Sequence, residues 1–430
     1  MEKVRKMISK IKSGGADAAL LEIYTMEHLE SKKARYINLL QRHAELFGDE
    51  EVMIISTPGR TELGGNHTDH NLGNVLAGSV DLDSVCVVSK NGGTEVVLDS
   101  EGYEPVKLNI EDLSMRAVEK DTTTALLRGI LYRFKALNYK IDGFNCNMDS
   151  EVLPGSGLSS SASVEVMIGT LLNELFNDGA VSFVEVAKIG QFAENNFFGK
   201  ASGLMDQVAC AAGGVVGIDF KDPEQPVIKP MNYSFDARGY ELMVTDVRSS
   251  HANLSEEYSA MPAEMKSIAG HFGKSVCREI TIAQLTSEIP ALRKTYGDRA
   301  VLRAVHFLNE NKRAVAEFEA LEADNFTDYL ELVKDSGNSS FKYLQNIYLG
   351  TRPEDQSLSI GLAFTEQFLN SGDASDNGAC RVQGGGFAGT IQAYIPKTRI
   401  KDYIIYMESI FGEGCSAELR IRNKPACRIL

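Results

Sequence analysis

Leu153-Pro154-Gly155-Ser156-Gly157-Leu158-Ser159-Ser160-Ser161-Ala162-Ser163 stands between an alternating stretch, Phe144-Asn145-Cys146-Asn147-Met148, and a run of helical spacing that reaches about Phe176. The alternation predicts a half-buried strand and the run predicts a helix, so the glycines and serines occupy a strand-to-helix turn. Gly155 and Gly157 let a ligand approach the backbone, and the serines supply hydroxyl donors. The helix that follows adds free N–H groups and the positive end of its dipole. Residues 155–161 (Gly155, Ser156, Gly157, Leu158, Ser159, Ser160 and Ser161) are therefore a candidate anion cradle suited to a triphosphate. The plainer reading is a serine N-cap on an ordinary helix.

Outward from this turn the chain alternates irregularly between strand and helix. Residues 1–48 are charged and helix-favouring, and Val52-Met53-Ile54-Ile55 predicts a buried strand stopped by Pro58-Gly59. A polar loop is expected over 59–74, strands at 84–89, 95–98 and 144–148, and helices over 122–137, 159–176 and 183–198. Beyond about residue 222 the texture changes. A strand over 241–247 precedes helices at 254–269, 297–322, 326–337 and 357–370. The chain then closes with strands at 379–383, 390–395 and 415–420 around a helix at 399–411. This order predicts an α+β fold. With 430 residues, two to three domains are expected: a helical segment 1–48 docked on the first, then 49–222 and 223–430.

The formal charge of −15 gives no electrostatic footprint of a nucleic-acid binder, so any phosphate site has to be built locally. No run reaches the roughly 18 uninterrupted apolar residues of a membrane span. The charged start, Met1-Glu2-Lys3-Val4-Arg5-Lys6, lacks the apolar core of a signal peptide. Seven cysteines without a C-x-x-C pair argue against a disulfide framework or a zinc site, and a cytoplasmic setting is expected.

Two other glycine motifs fail as nucleotide sites. Gly273-Lys274-Ser275 has Ile268 where the P-loop pattern needs glycine. Gly384-Gly385-Gly386-Phe387-Ala388-Gly389 fits G-x-G-x-x-G, but Thr390–Ile395 alternates as a strand where the dinucleotide fingerprint needs a helix. A tight hairpin packed against another backbone is expected there instead. The stretch 58–73 gathers Arg60, Glu62, Asn66, His67, Asp69 and His70, groups able to read a polyhydroxyl ligand or simply to form a polar surface loop. A metal site at His67, Asp69 and His70 lacks the spacing and softer ligands that structural zinc favours. Glu194 lies near a helix end, and Asp206 sits among apolar Leu204, Met205 and Val208, either capping a helix or held for chemistry.

In this order the segments resemble the GHMP small-molecule kinases, most closely the galactokinases. Pro58–Gly73 looks like the galactokinase form Gly-Arg-x-Asn-Leu-Ile-Gly-Glu-His-Thr-Asp-Tyr-Asn, and Gly157–Ser163 is very close to the family's phosphate loop. Gly203-Leu204-Met205-Asp206-Gln207 is similar to Gly-Ile-Met-Asp-Gln, and Gly384–Phe387 to the third motif. Agreement at four ordered sites outweighs the plain reading of each. The resemblance implies a two-domain fold with the active site in the interdomain cleft, ATP and Mg²⁺ as cofactors, and a small sugar as substrate. It implies Asp206 and Arg60 flanking the reacting C1 hydroxyl, with Asn66, His67, Asp69, Gly203 and Tyr258 holding the sugar. It also implies Ser161 and Glu194 as metal ligands, with a monomer or weak dimer as the assembly.

Four departures bear on the substrate: Asn66 replaces the family's glutamate, Glu62 its asparagine, Gly64 its isoleucine and His70 its tyrosine. The family's glutamate is understood to contact the C6 hydroxyl. The Asn66 carbonyl can still accept from that hydroxyl, or its NH₂ can donate to a C6 carboxylate. Glu62, four residues away, is able to restore the missing carboxylate. Galactose is the expected substrate, with galacturonate and arabinose as alternatives. A sensor that binds without turnover is disfavoured by the intact Ser161-Ala162.

Overall fold

The computed structural model describes residues 1–152, 157–200, 202–249, 254–372 and 377–430, so Gly155 and Ser156 of the expected cradle lie outside the described residues. In chain order the strands are β1 (Glu2–Lys3), β2 (Glu51–Gly64), β3 (Asn74–Lys90), β4 (Glu95–Ser100), β5 (Val106–Asn109), β6 (Phe144–Ser150), β7 (Val215–Asp219), β8 (Val227–Met231), β9 (Tyr240–Asp246), β10 (Ala379–Gln383), β11 (Thr390–Pro396), β12 (Ser416–Leu419) and β13 (Cys427–Arg428). Strands β1–β8 and β13 form a nine-stranded sheet built round β2 and β3. Strands β9–β12 form a second sheet in the order β10-β11-β9-β12.

The unbroken apolar run Val52-Met53-Ile54-Ile55 is explained by burial on both faces of β2. Met53, Ile55, Cys86 and Val88 pack against helices that include Ser160–Phe176 and Met205–Ala212. Val52, Ile54, Val85 and Val87 pack against the amino-terminal helices through Val4, Met7, Ile11, Tyr36, Leu39 and Leu40. The charged segment 1–48 thus covers the back of the sheet. A further apolar cluster joins the two sheets, with Leu63, Leu76 and Val215 meeting Leu242, Val244, Phe318 and Tyr394.

The strand expected to stop at Pro58-Gly59 instead continues to Gly64. Proline has no N–H to give the ladder, and the chain absorbs this with a register shift: Pro58 pairs Asp83, whereas Arg60 pairs Ser79. The Arg60 N–H then donates to the Leu158 carbonyl at 3.0 Å, tying β2 to the phosphate-loop segment. Residues Arg60–Gly64, expected in a loop, are therefore strand, and their side chains are fixed by the sheet. The expected helices at 122–137, 159–176, 297–322, 326–337 and 357–370 are present, with ends no more than two residues from those expected. The helix expected over 183–198 ends at Ala193 and passes into a single π turn, Glu194–Phe198. The mixture of helices and sheets is α+β, as the element order predicts.

Candidate active site

Successive even positions of a strand share a face, so β2 directs Arg60 and Glu62 to the same side, about 6.6 Å apart along the strand. Both line a cavity of about 560 Å³. His67, Asp69 and His70 reach the same cavity from the loop after β2. Residues 200–206 supply Lys200, Ser202, Gly203 and Asp206, the helix Ser255–His271 supplies Tyr258, and the turn between β10 and β11 supplies Gly384 and Gly385. The cavity therefore lies between the parts of the chain that build the two sheets.

Asp206 sits in the first turn of the helix Met205–Ala212, where the dipole favours an acid. Its Oδ1 accepts from Arg60 Nε at 2.7 Å and its Oδ2 from Ser159 Oγ at 2.5 Å. Burial pushes this carboxyl up, and the Arg60 charge with the Arg60 and Ser159 hydrogen bonds more than reverses that, leaving it below the ordinary aspartate value. Arg60 Nη1 also donates to the Gly157 carbonyl, so one guanidinium bridges the acid and the phosphate-loop segment. Ser159 stands at the helix start with φ of 57° and makes no capping bond to its own helix; its hydroxyl is committed to Asp206. The serine N-cap reading thus fails at this residue. Gly157 has φ of +73°, and a Cβ there would fall 2.9 Å from Thr390 Oγ1, so a glycine is required. Leu158 is buried in the cluster that joins the sheets, whereas Ser160 and Ser161 remain partly exposed.

Glu194 is buried at the π turn. Its Oε2 accepts from Ser202 Oγ at 2.6 Å and Gln207 Nε2 at 2.9 Å, and its Oε1 accepts from Lys200 Nζ at 2.8 Å and Ser161 Oγ at 3.5 Å. Gln207 also donates to Glu165, a fully buried acid that burial and then the Glu194 charge hold well above the ordinary carboxylate range. Ser161 and Glu194, the pair that the resemblance implies as metal ligands, therefore lie 3.5 Å apart. Lys200, Ser202 and Glu165 went unread, as did the bridging role of Gln207, although Lys200 and Ser202 lie within three residues of the quoted Asp206 motif and Gln207 closes it.

His67 donates through Nε2 to the Gly385 carbonyl at 2.9 Å, and its imidazole is pushed down to about 4 by burial and the neighbouring His70. It is neutral at physiological pH, with Nδ1 left as an acceptor. A Cβ on Gly203 would fall 2.5 Å from Asp69 Oδ2, so this glycine leaves Asp69 its place on the wall. Tyr258 donates to the Gly386 carbonyl at 2.8 Å, its ring packs edge-on against Phe387, and burial pushes its hydroxyl up to about 12. The Gly386 backbone meets Asn346, where a Cβ would come within 2.1 Å of a carbonyl oxygen. The glycine run is thus the tight, backbone-packed hairpin expected from sequence.

Asn66 is the one expected sugar contact that does not reach the cavity. It is fully buried; its NH₂ donates to Glu62 Oε1 at 2.9 Å and the Gly384 carbonyl at 2.8 Å. Its side-chain oxygen accepts from Asn346 Nδ2 at 2.9 Å and Ser340 Oγ at 3.2 Å. Glu62 takes the wall position instead, ion-paired with Arg381. Burial pushes its carboxyl up to about 7 despite that arginine.

Among the described residues no helix is long and apolar enough to cross a membrane, and no group of three histidines, cysteines or carboxylates is placed to hold a metal. Residues 125–214 match the GHMP kinases N terminal domain, and residues 41–90 match the galactokinase galactose-binding signature. The chain is 30% identical over 385 residues to a galactokinase of Lactococcus lactis subsp. lactis, covering 87% of this chain and 91% of that one. It is 28% identical over 355 residues to a galactokinase of Streptomyces coelicolor, covering 81% and 86% of the two chains. In fold it is similar to the crystal structure of Lactococcus lactis galactokinase complexed with galactose, with a TM-score of 0.74 at 23% identity over 90% of this chain and 97% of that one.

Proposed function

The chain belongs to the galactokinase family of the GHMP kinases, and from that premise we propose that it transfers the γ-phosphoryl group of ATP to the anomeric C1 hydroxyl of galactose, giving galactose 1-phosphate. The observation that carries this reading is the Asp206 carboxylate, held by Arg60 and Ser159 on the wall of a cavity of about 560 Å³ that Glu62, His67, Asp69 and Tyr258 also line. Phosphoryl transfer has a loose transition state, so the protein's work is positioning and charge neutralisation. Asp206, kept ionised, orients the anomeric hydroxyl and accepts its proton late in the transfer. Arg60 holds that carboxylate and offsets charge on the moving group. His67, Asp69 and Tyr258 meet sugar hydroxyls, and Gly203 keeps the wall open beside them. Residues 157–161 cradle the phosphates at the start of the helix Ser160–Phe176.

Mg²⁺ fits the Ser161 and Glu194 oxygens. Both are hard donors, they lie 3.5 Å apart, and the same Glu194 oxygen already attracts a cation in Lys200. Among the described residues no group of three histidines, cysteines or carboxylates gathers there, so phosphate oxygens and water would complete the shell, as this ion prefers. Bound there, the ion would supply neutralisation of phosphate charge.

Galactose is favoured over galacturonate by two features. The Asn66 amide hydrogens that would greet a C6 carboxylate are spent on Glu62 and Gly384, and the wall presents the Glu62 carboxyl instead. Measuring ATP turnover with galactose, galacturonate and arabinose, with the product located by ³¹P NMR, tests the reading. Galactose 1-phosphate is expected to dominate; faster turnover of galacturonate, or none of any sugar, overturns it.

A further inference from the structure

Lys200 has no part in the chemistry described above, yet its ammonium sits on Glu194 Oε1, the oxygen that the Ser161 hydroxyl also reaches. The carbonyl of Glu194 accepts the N–H groups of Gly199 and Lys200 at 3.0 and 3.1 Å, so the chain doubles back after the π turn. That reversal brings the Lys200 side chain to a carboxylate six residues earlier. The two Glu194 oxygens are used differently. Oε2 is saturated by Ser202 and Gln207, whereas Oε1 takes the Lys200 ammonium at 2.8 Å beside the more distant Ser161 hydroxyl. The carboxylate is fixed, with its side chain 3% exposed, while that of Lys200 is 56% exposed and lines the cavity.

We propose that Lys200 is a tethered ammonium that holds Glu194 Oε1 until a divalent cation displaces it, and then stays in the cavity as a free cation for the phosphates. The inference rests on the reading of Ser161 and Glu194 as metal ligands. A buried carboxylate without a counter-ion is strongly disfavoured, and Lys200 supplies that counter-ion before metal arrives. Two cations at one oxygen repel, so arrival of the metal and departure of the ammonium are linked. The four-carbon stem and its exposure make departure easy, and the displaced charge remains within the cavity that Arg60 and Asp206 share.

The test is a Mn²⁺ titration of the nucleotide-free protein followed by water-proton relaxation, on wild type, K200M, K200R and E194Q. Removing the competing charge in K200M is expected to tighten Mn²⁺ binding about two- to fivefold, the scale of a partly exposed ion pair. K200R, which keeps the charge, is expected to stay at wild-type affinity. Equal or weaker binding by K200M overturns the proposal, as does K200R binding as tightly as K200M. E194Q separates the two layers of the argument. If it weakens Mn²⁺ binding while K200M leaves it unchanged, only the role of Lys200 falls. If E194Q binds as wild type does, the metal ligands themselves are misassigned.

Discussion

Asp206 and Glu62 are two carboxyls on the wall of one cavity, each paired with an arginine, and their acidities move in opposite directions. Asp206 falls below its ordinary value, whereas Glu62 is pushed up to about 7. Contact with a guanidinium does not separate them. The Asp206 side chain keeps 30% exposure, takes a direct hydrogen bond from Arg60, whose charge reaches Glu62 only as a lesser influence, gains the Ser159 hydroxyl and feels Lys200. Glu62 is almost fully buried, and its Arg381 is divided among Glu62, Glu310 and Glu317. The difference teaches that the count of carboxyls per buried cation, set against desolvation, decides which acid stays charged. A cavity with an ionised acid at one place and a protonatable one at another can take a proton and read a neutral hydroxyl without the two tasks interfering.

The sharpest way to break the comparison is to remove the charge at its ionised end. Asp206→Asn is expected to lower kcat by about 10³-fold while nucleotide binding, followed by equilibrium dialysis, stays near wild type. Retention of wild-type rate would sink the base assignment. Arg60→Met comes next, with a loss of about 10²-fold in kcat. It carries a second signature. Arg60 holds the Asp206 carboxyl down, so without it burial carries the acid upward, and the acid limb of the pH–rate profile moves to higher pH. An acid limb that stays in place would mean that Asp206 owes its ionisation to something other than Arg60.

The sequence made the ionised end readable and left the other obscure, for a physical reason. Arg60, His67, Asp69, Glu194, Asp206 and Tyr258 lie in short motifs whose residue types declare their chemistry; the structure sets five of them round one cavity and ties Glu194 to it through Lys200. The partners that set the behaviour of Glu62 do not declare themselves in this way. Arg381 and Glu317 are an arginine in a strand and a glutamate in a long helix, far from Glu62 in sequence, and only the packing of the two sheets makes them neighbours. Asn66 misled because a polar residue in a binding motif reads as a ligand contact, while its burial depends on Asn346 and Ser340 some 280 and 274 residues away. Pro58 misled in a simpler way: a proline stops a strand unless the partner strand accepts a register shift, and β3 does.

Glu62→Gln sharpens the comparison at its protonatable end. The swap keeps the shape and an acceptor, so kcat/KM for galactose is expected to fall only about three- to tenfold, the net worth of one hydrogen bond. Discrimination should respond more clearly. Glu62 gains charge as pH rises through about 7, so wild type is expected to reject galacturonate more strongly at pH 8 than at pH 6. The variant, uncharged at both, should show no such trend. A wild-type ratio of galacturonate to galactose turnover that does not change with pH would place Glu62 away from the sugar's C6 end.

The smallest effect is on stability, and it probes the division of Arg381 directly. Glu317 is fully buried, and neither of its oxygens has a hydrogen-bond partner among the described residues. Gly64 makes the space, since a Cβ there would fall 1.7 Å from Glu317 Oε2. Burial first and then the Glu310 charge raise this carboxyl well above its ordinary value, and Arg381 and Arg313 do not restore it. A raised acid binds its proton more tightly in the folded chain than in the unfolded one. Its contribution is therefore complete below about pH 4.5 and is lost as pH rises towards the folded value, at up to about 1.4 kcal/mol per pH unit. Glu317→Gln removes that slope, while Glu62 keeps a slope of the same sign up to about pH 7 in both proteins. Urea midpoints measured from pH 5 to 8 should therefore fall more steeply for wild type than for the variant, and the two curves should approach or cross towards the alkaline side. Parallel curves would mean that Glu317 is ionised in the folded chain. Arg381 and Arg313 would then neutralise every carboxyl around them, and the contrast between the two ends of the cavity would need a cause other than charge count.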